Sequence, residues 1–301
     1  MGSESHWSAE SCLGEATPRE FAGEQGTIAA LDWGGDRPLA LLHHANGFCK
    51  GVWGLVAAGL KAHYRVVAMD GRGHGDSAPA RSPEGYAWAG FANDVGRVAR
   101  ALLDETGASR VALGLGHSFG GTCLLGASAL HGDLFDRLVL VDPVIPIRPA
   151  EGPAAGAHVV GLVDRARKRR GEWGSRAEAR EWFGEKELFA QWDERALDLY
   201  VLDGLRDRPD GGVELKCAGD VEAEVFARGG EVDVAAWARR VAVPTRFLWA
   251  TSGNFPRARY ERVVDSMPHA RIEDVAAGHL VPMERPACVI QAVLHGENQA
   301  V

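Results

Sequence analysis

Apolar residues in this 301-residue chain fall into short continuous runs, separated by stretches in which they recur at helical spacing. The runs are TIAALDW (27–33), PLALLHH (38–44), YRVVAMD (64–70), RVALGLG (110–116), RLVLVDP (137–143), PTRFLWA (244–250) and ARIEDVA (270–276). Runs with so little polar alternation predict strands covered on both faces, as in parallel sheets. Between them, residues 86–106 place Phe91, Val95, Val98 and Leu102 on one helical stripe. FPRARYERVVDSM and PMERPACVIQAVLH predict two later helices. Strand and helix in alternation predict a doubly wound, mostly parallel α/β sheet, whose ligands lie beyond the carboxyl ends of the strands.

Two regions break the rhythm. Residues 1–25 are polar, small and aperiodic, and are expected to form a flexible arm. Residues 144–240 hold no convincing buried strand and are rich in Arg, Glu and Trp. Ser175 and Glu178 have the spacing of a capping box at a helix start. The expected organisation is a core of residues 26–143 and 241–301, with residues 144–240 inserted as a helical cap, or lid, over the carboxyl edge of the sheet.

Charge and cysteine usage narrow the function. A net charge of −8 argues against general nucleic-acid binding. The one basic run, Arg165 to Arg170, reads first as a solvated helix face and second as a contact for an anionic partner. The 5 cysteines are widely spaced and contain no C-x-x-C, which points to free thiols in a reducing compartment rather than a disulfide framework or zinc site. The first residues lack the basic and apolar regions of a secretory signal, and no apolar run is long enough to be an integral membrane segment. A cytoplasmic location is the expectation. The sequence sets no oligomeric state.

Candidate chemistry begins at Gly116-His117-Ser118-Phe119-Gly120. The pentapeptide follows a predicted strand and opens a predicted helix, the context of a nucleophile elbow, in which a tight turn lifts the serine hydroxyl above the sheet. Outside that context the same pattern is an ordinary structural turn. A serine hydroxyl needs a base to take its proton. His279, between the last strand and the last helix, is the candidate. His117 is read as packing beside the elbow, and His74 as structural. His43 and His44 either line the pocket or simply pack at a strand end.

The imidazole needs a carboxylate to fix its tautomer and balance its charge. Asp142, after RLVLV, can supply one; the loop after FLWA reads TSGNFPRA and offers only Asn254. Asp142 is the choice, with a loop-closing aspartate as the plain alternative and Glu261, Asp265 and Asp274 as lesser candidates. Two N–H donors must meet the developing oxyanion. They are expected from Phe119 and from Phe48, with Gly47 letting the backbone come close. Asn46, Gly47 and His117 make up the candidate substrate-binding set.

Together, HHANGF (43–48), MDGRGHGDS (69–77), GHSFGG (116–121) and GHLVPMERP (278–286) resemble, in order, four motifs of the α/β-hydrolase superfamily. The resemblance covers about residues 27–142 and 241–297, and the wording of the insert looks esterase- or lipase-like. It implies a serine hydrolase working through an acyl-enzyme, with no metal or organic cofactor. The acid-free TSGNF loop departs from the pattern, and members with the acid on the previous strand fit Asp142. Serine at the elbow argues against the dehalogenase and epoxide-hydrolase chemistry of relatives that carry aspartate there.

The leading expectation is a carboxylic-ester hydrolase for a small or medium apolar substrate. Trp173, Trp182, Phe183, Phe189 and Trp192 are available for an apolar roof, although each of them taken singly reads first as lid core. The alternatives are C–C bond or lactone cleavage by the same triad, and a non-catalytic binding protein on a hydrolase scaffold.

Overall fold

The computed structural model describes residues 7–132, 134–146 and 153–295. Their main sheet has eight strands: β1 (Thr17–Ala22), β2 (Thr27–Asp32), β3 (Leu39–His43), β4 (Arg65–Met69), β5 (Leu113–His117), β6 (Leu138–Val141), β10 (Thr245–Ala250) and β11 (Ala270–Val275). A second, three-stranded sheet lies within the insert: β7 (Glu172–Trp173), β8 (Leu205–Asp207) and β9 (Val213–Leu215). In the main sheet the order is β1-β2-β4-β3-β5-β6-β10-β11. β2 runs antiparallel to both neighbours, and the remaining pairs are parallel. All seven predicted runs become strands of this sheet.

Strand periodicity explains why the runs are apolar throughout. Leu39 and Leu41 of β3 face one core while Ala40 and Leu42 face the other. β6 divides the same way, with Leu138 and Leu140 opposite Val139 and Val141. Helix Trp88–Thr106 covers one face through Phe91, Val95, Val98 and Leu102, all fully buried, and stops at Gly107, whose φ of 71° suits a residue without a side chain. Helices Gly54–Leu60 and Pro286–His295 pack on the other face.

The topology fixes where a site can form. β4 follows β3 on one side of the sheet and β5 returns to its other side, so β3 and β5 are neighbours at the switch in strand order. The pairing of His43 with Gly116 brings the loop after β3 beside the turn after β5. Such a switch opens a crevice at the carboxyl edge.

Three expectations change. Residues 7–25 are not an arm: Ala9–Gly14 is a helix capped by Ser8, and β1 pairs with β2 from Thr17↔Asp32 to Ala22↔Thr27. β1 is an edge strand in which only Phe21 is buried, so it lacks a continuous apolar run. The first six residues lie outside those described. β11 is the opposite edge, and its Arg271, Glu273 and Asp274 leave it half-exposed rather than covered on both faces. Charges along an exposed edge oppose pairing with another chain.

The segment between β6 and β10 is mostly helical, with Pro153–Lys168, Arg176–Gly184, Glu194–Asp203, Gly219–Ala227 and Val234–Ala238, but it also contains the small sheet β7-β9-β8. Residues 147–152 of this segment lie outside those described. Ser175 accepts from the Glu178 N–H at 3.1 Å, as a helix cap should, while the Glu178 carboxylate turns to the Gly174 N–H at 2.7 Å. Three residues of the basic run have acidic partners: Arg167 pairs with Glu224, Arg169 with Glu222 and Arg170 with Glu178.

Candidate active site

The turn after β5 is built by glycines. A side chain at Gly120 would lie 2.4 Å from the carbonyl oxygens of His43 and His44, and one at Gly116 would lie 2.6 Å from the Gly121 backbone. Only a bare backbone lets the elbow sit this close to the end of β3. Ser118 takes φ 53° and ψ −122°, a strained conformation for a residue with a side chain. Its N–H donates to the Val141 carbonyl at 2.9 Å, and its carbonyl accepts from the Val144 N–H at 3.2 Å. Packing from both sides therefore holds the strain.

Ser118 Oγ lies 2.9 Å from His279 Nε2, and His279 Nδ1 lies 2.6 Å from Asp142 Oδ2. The three residues predicted from separate motifs converge in one line. Asp142 is fully buried and has a φ of 40°. Its Oδ1 accepts from the Ala250 N–H at 3.1 Å, and the Tyr260 hydroxyl shares its hydrogen between the same oxygen at 3.1 Å and the Pro143 carbonyl at 2.9 Å. A carboxylate bonded this way stays an acceptor toward the ring, so Nδ1 carries the proton and Nε2 presents its lone pair to the serine. Burial and the adjacent Asp142 charge push the Tyr260 hydroxyl upward, which keeps it a donor.

Asn254, the alternative in the acid-free loop, is exposed on TSGNF. That loop instead contributes Gly253, whose added side chain would lie 2.8 Å from Asp142 Oδ2. The loop carrying His279 is held by Glu284, whose carboxylate accepts from the Gly278 N–H at 2.6 Å and the Leu280 N–H at 3.1 Å. Phe255 meets the His279 ring edge-on at 5.4 Å. Tyr260 and Glu284 escaped sequence reading. Glu284 had a usable signal, since a carboxylate five residues beyond the histidine can fold back on its loop; Tyr260 had none.

The loop after β3 departs from expectation. The Phe48 N–H donates to the Ala45 carbonyl at 3.2 Å, closing a turn, so it is not free for a ligand. Among the described residues, no acceptor meets the Asn46 or Phe119 N–H. Both side-chain ends of Asn46 are also engaged: Nδ2 donates to the Glu222 carbonyl and Oδ1 lies against His74 Nε2, each at 3.0 Å. Gly47 has φ 82°, and a side chain there would strike the Glu222 carboxylate at 2.6 Å. Its openness admits the insert rather than a ligand. The Phe48 ring packs on Trp192 and Tyr200.

His117 is turned from the serine and buried, and its Nε2–H donates to the His279 carbonyl at 2.8 Å. It anchors the histidine loop instead of lining a substrate path. His43, His44 and His74 are buried too. Burial lowers His43 to about 4 and both His74 and His117 to about 3, and it holds His44 well below its ordinary value. These rings are neutral at pH 7. His44 shows the pattern: Nδ1–H donates to the Ala45 carbonyl at 2.7 Å and Nε2 accepts from the Gly71 N–H at 2.9 Å. Among the described residues, no group of three His, Cys, Asp or Glu side chains is arranged to hold a metal ion, and no helix is long and apolar enough to cross a membrane.

The chain is similar to known proteins on two scales. Over 122 residues it is 35% identical to peroxisomal membrane protein LPX1 of Saccharomyces cerevisiae, covering 36% of this chain and 31% of that one. Over 119 residues it is 34% identical to Esterase Rv0045c of Mycobacterium tuberculosis, covering 40% and 37%. The chain thus matches about a third of the length of these relatives. In fold it resembles E-2-(acetamidomethylene)succinate hydrolase, with a TM-score of 0.80 over 94% of this chain and 99% of that one at 20% identity. The model of the alpha/beta hydrolase family matches residues 40–292, which include Ser118, Asp142 and His279, and the chain belongs to that family.

Proposed function

We propose that the protein is a serine hydrolase that cleaves a carboxylic ester of a small or medium apolar substrate through an acyl-enzyme. The observation that carries this is the continuous hydrogen-bonded line from Ser118 Oγ through the His279 ring to Asp142 Oδ2. In this reading His279 Nε2 takes the serine proton as Oγ attacks the carbonyl carbon. Asp142 stabilises the imidazolium without taking its proton. The proton then passes to the leaving alcohol. A water activated by the same nitrogen releases the acid and restores Ser118.

The oxyanion donors are the N–H groups of Phe119 and Asn46, the latter in place of Phe48. Their support is the absence of another acceptor and the packing of Gly120 on the His43 and His44 carbonyls, which sets the two loops side by side. The helical insert serves as a cap. Its Trp192 and Tyr200 meet Phe48, and Ser118 is only 5% exposed, so a compact apolar substrate fits better than a bulky polar one. A charged, buried Asp142 on the histidine favours turnover over the binding-protein alternative.

The test is labelling with a fluorophosphonate probe, followed by peptide mapping, beside a panel of short- and medium-chain p-nitrophenyl esters. The expected result is a single adduct on Ser118 and hydrolysis of the esters. Folded protein that remains unlabelled would overturn the reading. A lactone and a vinylogous diketone in the same panel separate the alternatives that share the triad.

A further inference from the structure

The loop after β3 is gripped by the insert at both ends. At one end Asn46 Nδ2 holds the Glu222 carbonyl. At the other, the Lys50 ammonium, 3% exposed, contacts three carboxylates: Asp70 at 2.8 Å, Asp76 at 2.7 Å and Asp203 at 3.3 Å. Asp70 and Asp76 belong to the turn after β4, whereas Asp203 ends the insert's helix Glu194–Asp203. Asp203 also accepts the Gly51 N–H at 2.9 Å through Oδ2. Gly51 is what allows this approach, because an added side chain would lie 2.5 Å from the Asp203 Cβ. Lys216, also from the insert, reaches Asp76 at 2.7 Å and Asp203 at 3.7 Å without touching the loop.

We propose that Asp203 is a positioning residue: by fixing Lys50 and Gly51 it holds the 45–51 loop in the shape that presents the Asn46 N–H to the oxyanion, so turnover requires the cap to be seated. The proposal rests on Ser118 being the nucleophile. Asp203 supplies what the local sequence cannot. The loop's internal backbone bond closes the Ala45–Phe48 turn, Lys50 and Gly51 open the 3-10 turn Lys50–Trp53, and the Lys50 N–H donates to Asp70 Oδ1 at 2.7 Å; the Gly51 N–H is what Asp203 ties to the insert. Without Asp203 the Lys50 ammonium keeps Asp70 and Asp76, so its charge stays paired; what the loop loses is the acceptor for the Gly51 N–H and its ionic tie to the insert. Displacement of the loop by about an ångström is enough to cost about a hundredfold in rate.

The experiment compares Asp203→Ala with Lys216→Met, using p-nitrophenyl acetate, whose acyl group is too small to depend on the cap for binding. Asp203→Ala is expected to lower kcat about tenfold to a hundredfold, with KM changed less than about threefold. Lys216→Met removes a charge from the same cluster but no contact to the loop, so its kcat is expected to stay within about threefold of wild type. Thermal melts accompany both. Equal kcat losses in the two variants, or a raised KM with kcat intact in Asp203→Ala, overturn the proposal. If Asp203→Ala does not fold, Asp203→Asn is measured with the same two outcomes. Labelling separates the levels. Wild type unlabelled at Ser118 sinks the underlying mechanism, whereas wild type and Asp203→Ala labelled at equal rates sink only the positioning role.

Discussion

The elbow after β5 and the loop after β3 meet at one sheet edge but are held by different means. The elbow is secured without charge. Glycines let backbone approach backbone, and the neutral His117 ring ties the elbow to the His279 carbonyl. The β3 loop adds ions to its neutral contacts: Lys50 sits among Asp70, Asp76 and Asp203, Asn46 reaches the insert, and His44 and His74 bond Ala45 and Asn46. The difference follows from what each must resist. The elbow stores backbone strain at Ser118, which close packing opposes directly. The β3 loop has to be tied to a segment about 150 residues away in sequence, and paired charges fix such a contact in one arrangement or leave it costly.

The comparison can be broken first at Ser118, the proposed nucleophile. Ser118→Ala should lower kcat by about a millionfold while thermal melting stays cooperative; activity above about a thousandth of wild type would name another nucleophile. Next, Asp142→Asn should lower kcat about ten-thousandfold, because the amide favours the wrong imidazole tautomer. A nearly silent Asp142→Asn would mean that the acid lies elsewhere.

The buried neutral imidazoles on both sides should carry the acid sensitivity of the fold. His43, His44, His74 and His117 are depressed below an unfolded value near 6.5. Between that value and the folded one, the unfolded chain binds more protons, so stability falls as pH falls. Each ring contributes about 1 kcal/mol per pH unit. Burial pushes Asp70 up to about 6, against the pull of Lys50, and also raises Asp94 and Glu222, which acts in the reverse direction and offsets part of the histidine effect. Urea denaturation should therefore show a clear loss of stability from pH 6.5 to 5; a flat profile would mean that these imidazoles are not buried neutral. The smallest effect is expected from Gly120→Ala. Its methyl group would press on two immobile carbonyls, which should destabilise the protein by about 3 kcal/mol. Wild-type stability in that variant would show that the two loops do not touch as described.

Sequence made the core legible because its signals are local. Continuous apolar runs marked the strands, and the Gly-x-Ser-x-Gly turn and the histidine loop each fit within a few residues. Asp142 followed from a strand end and from the lack of a carboxylate in TSGNF. The errors lie where a few residues hide a turn or a distant partner. Phe48 was chosen by its place after Gly47, but the Ala45–Phe48 turn takes its N–H. β1 was missed because an edge strand with one buried residue has no apolar run. No local pattern links Lys50 to Asp203 or Asn46 to Glu222, since those contacts exist only once the insert has folded back.

Gly253 carries a consequence for how such a centre could be rewired. The Asp142 carboxylate fills the space in which a side chain at Gly253 would begin, so the anion and that loop compete for one volume. Transplanting the acid to the loop beyond β10 would therefore require emptying the old berth in the same step. Either change alone leaves an imidazole with no counter-ion or two oxygens forced together. At position 253, therefore, a side chain and the carboxylate at 142 exclude one another.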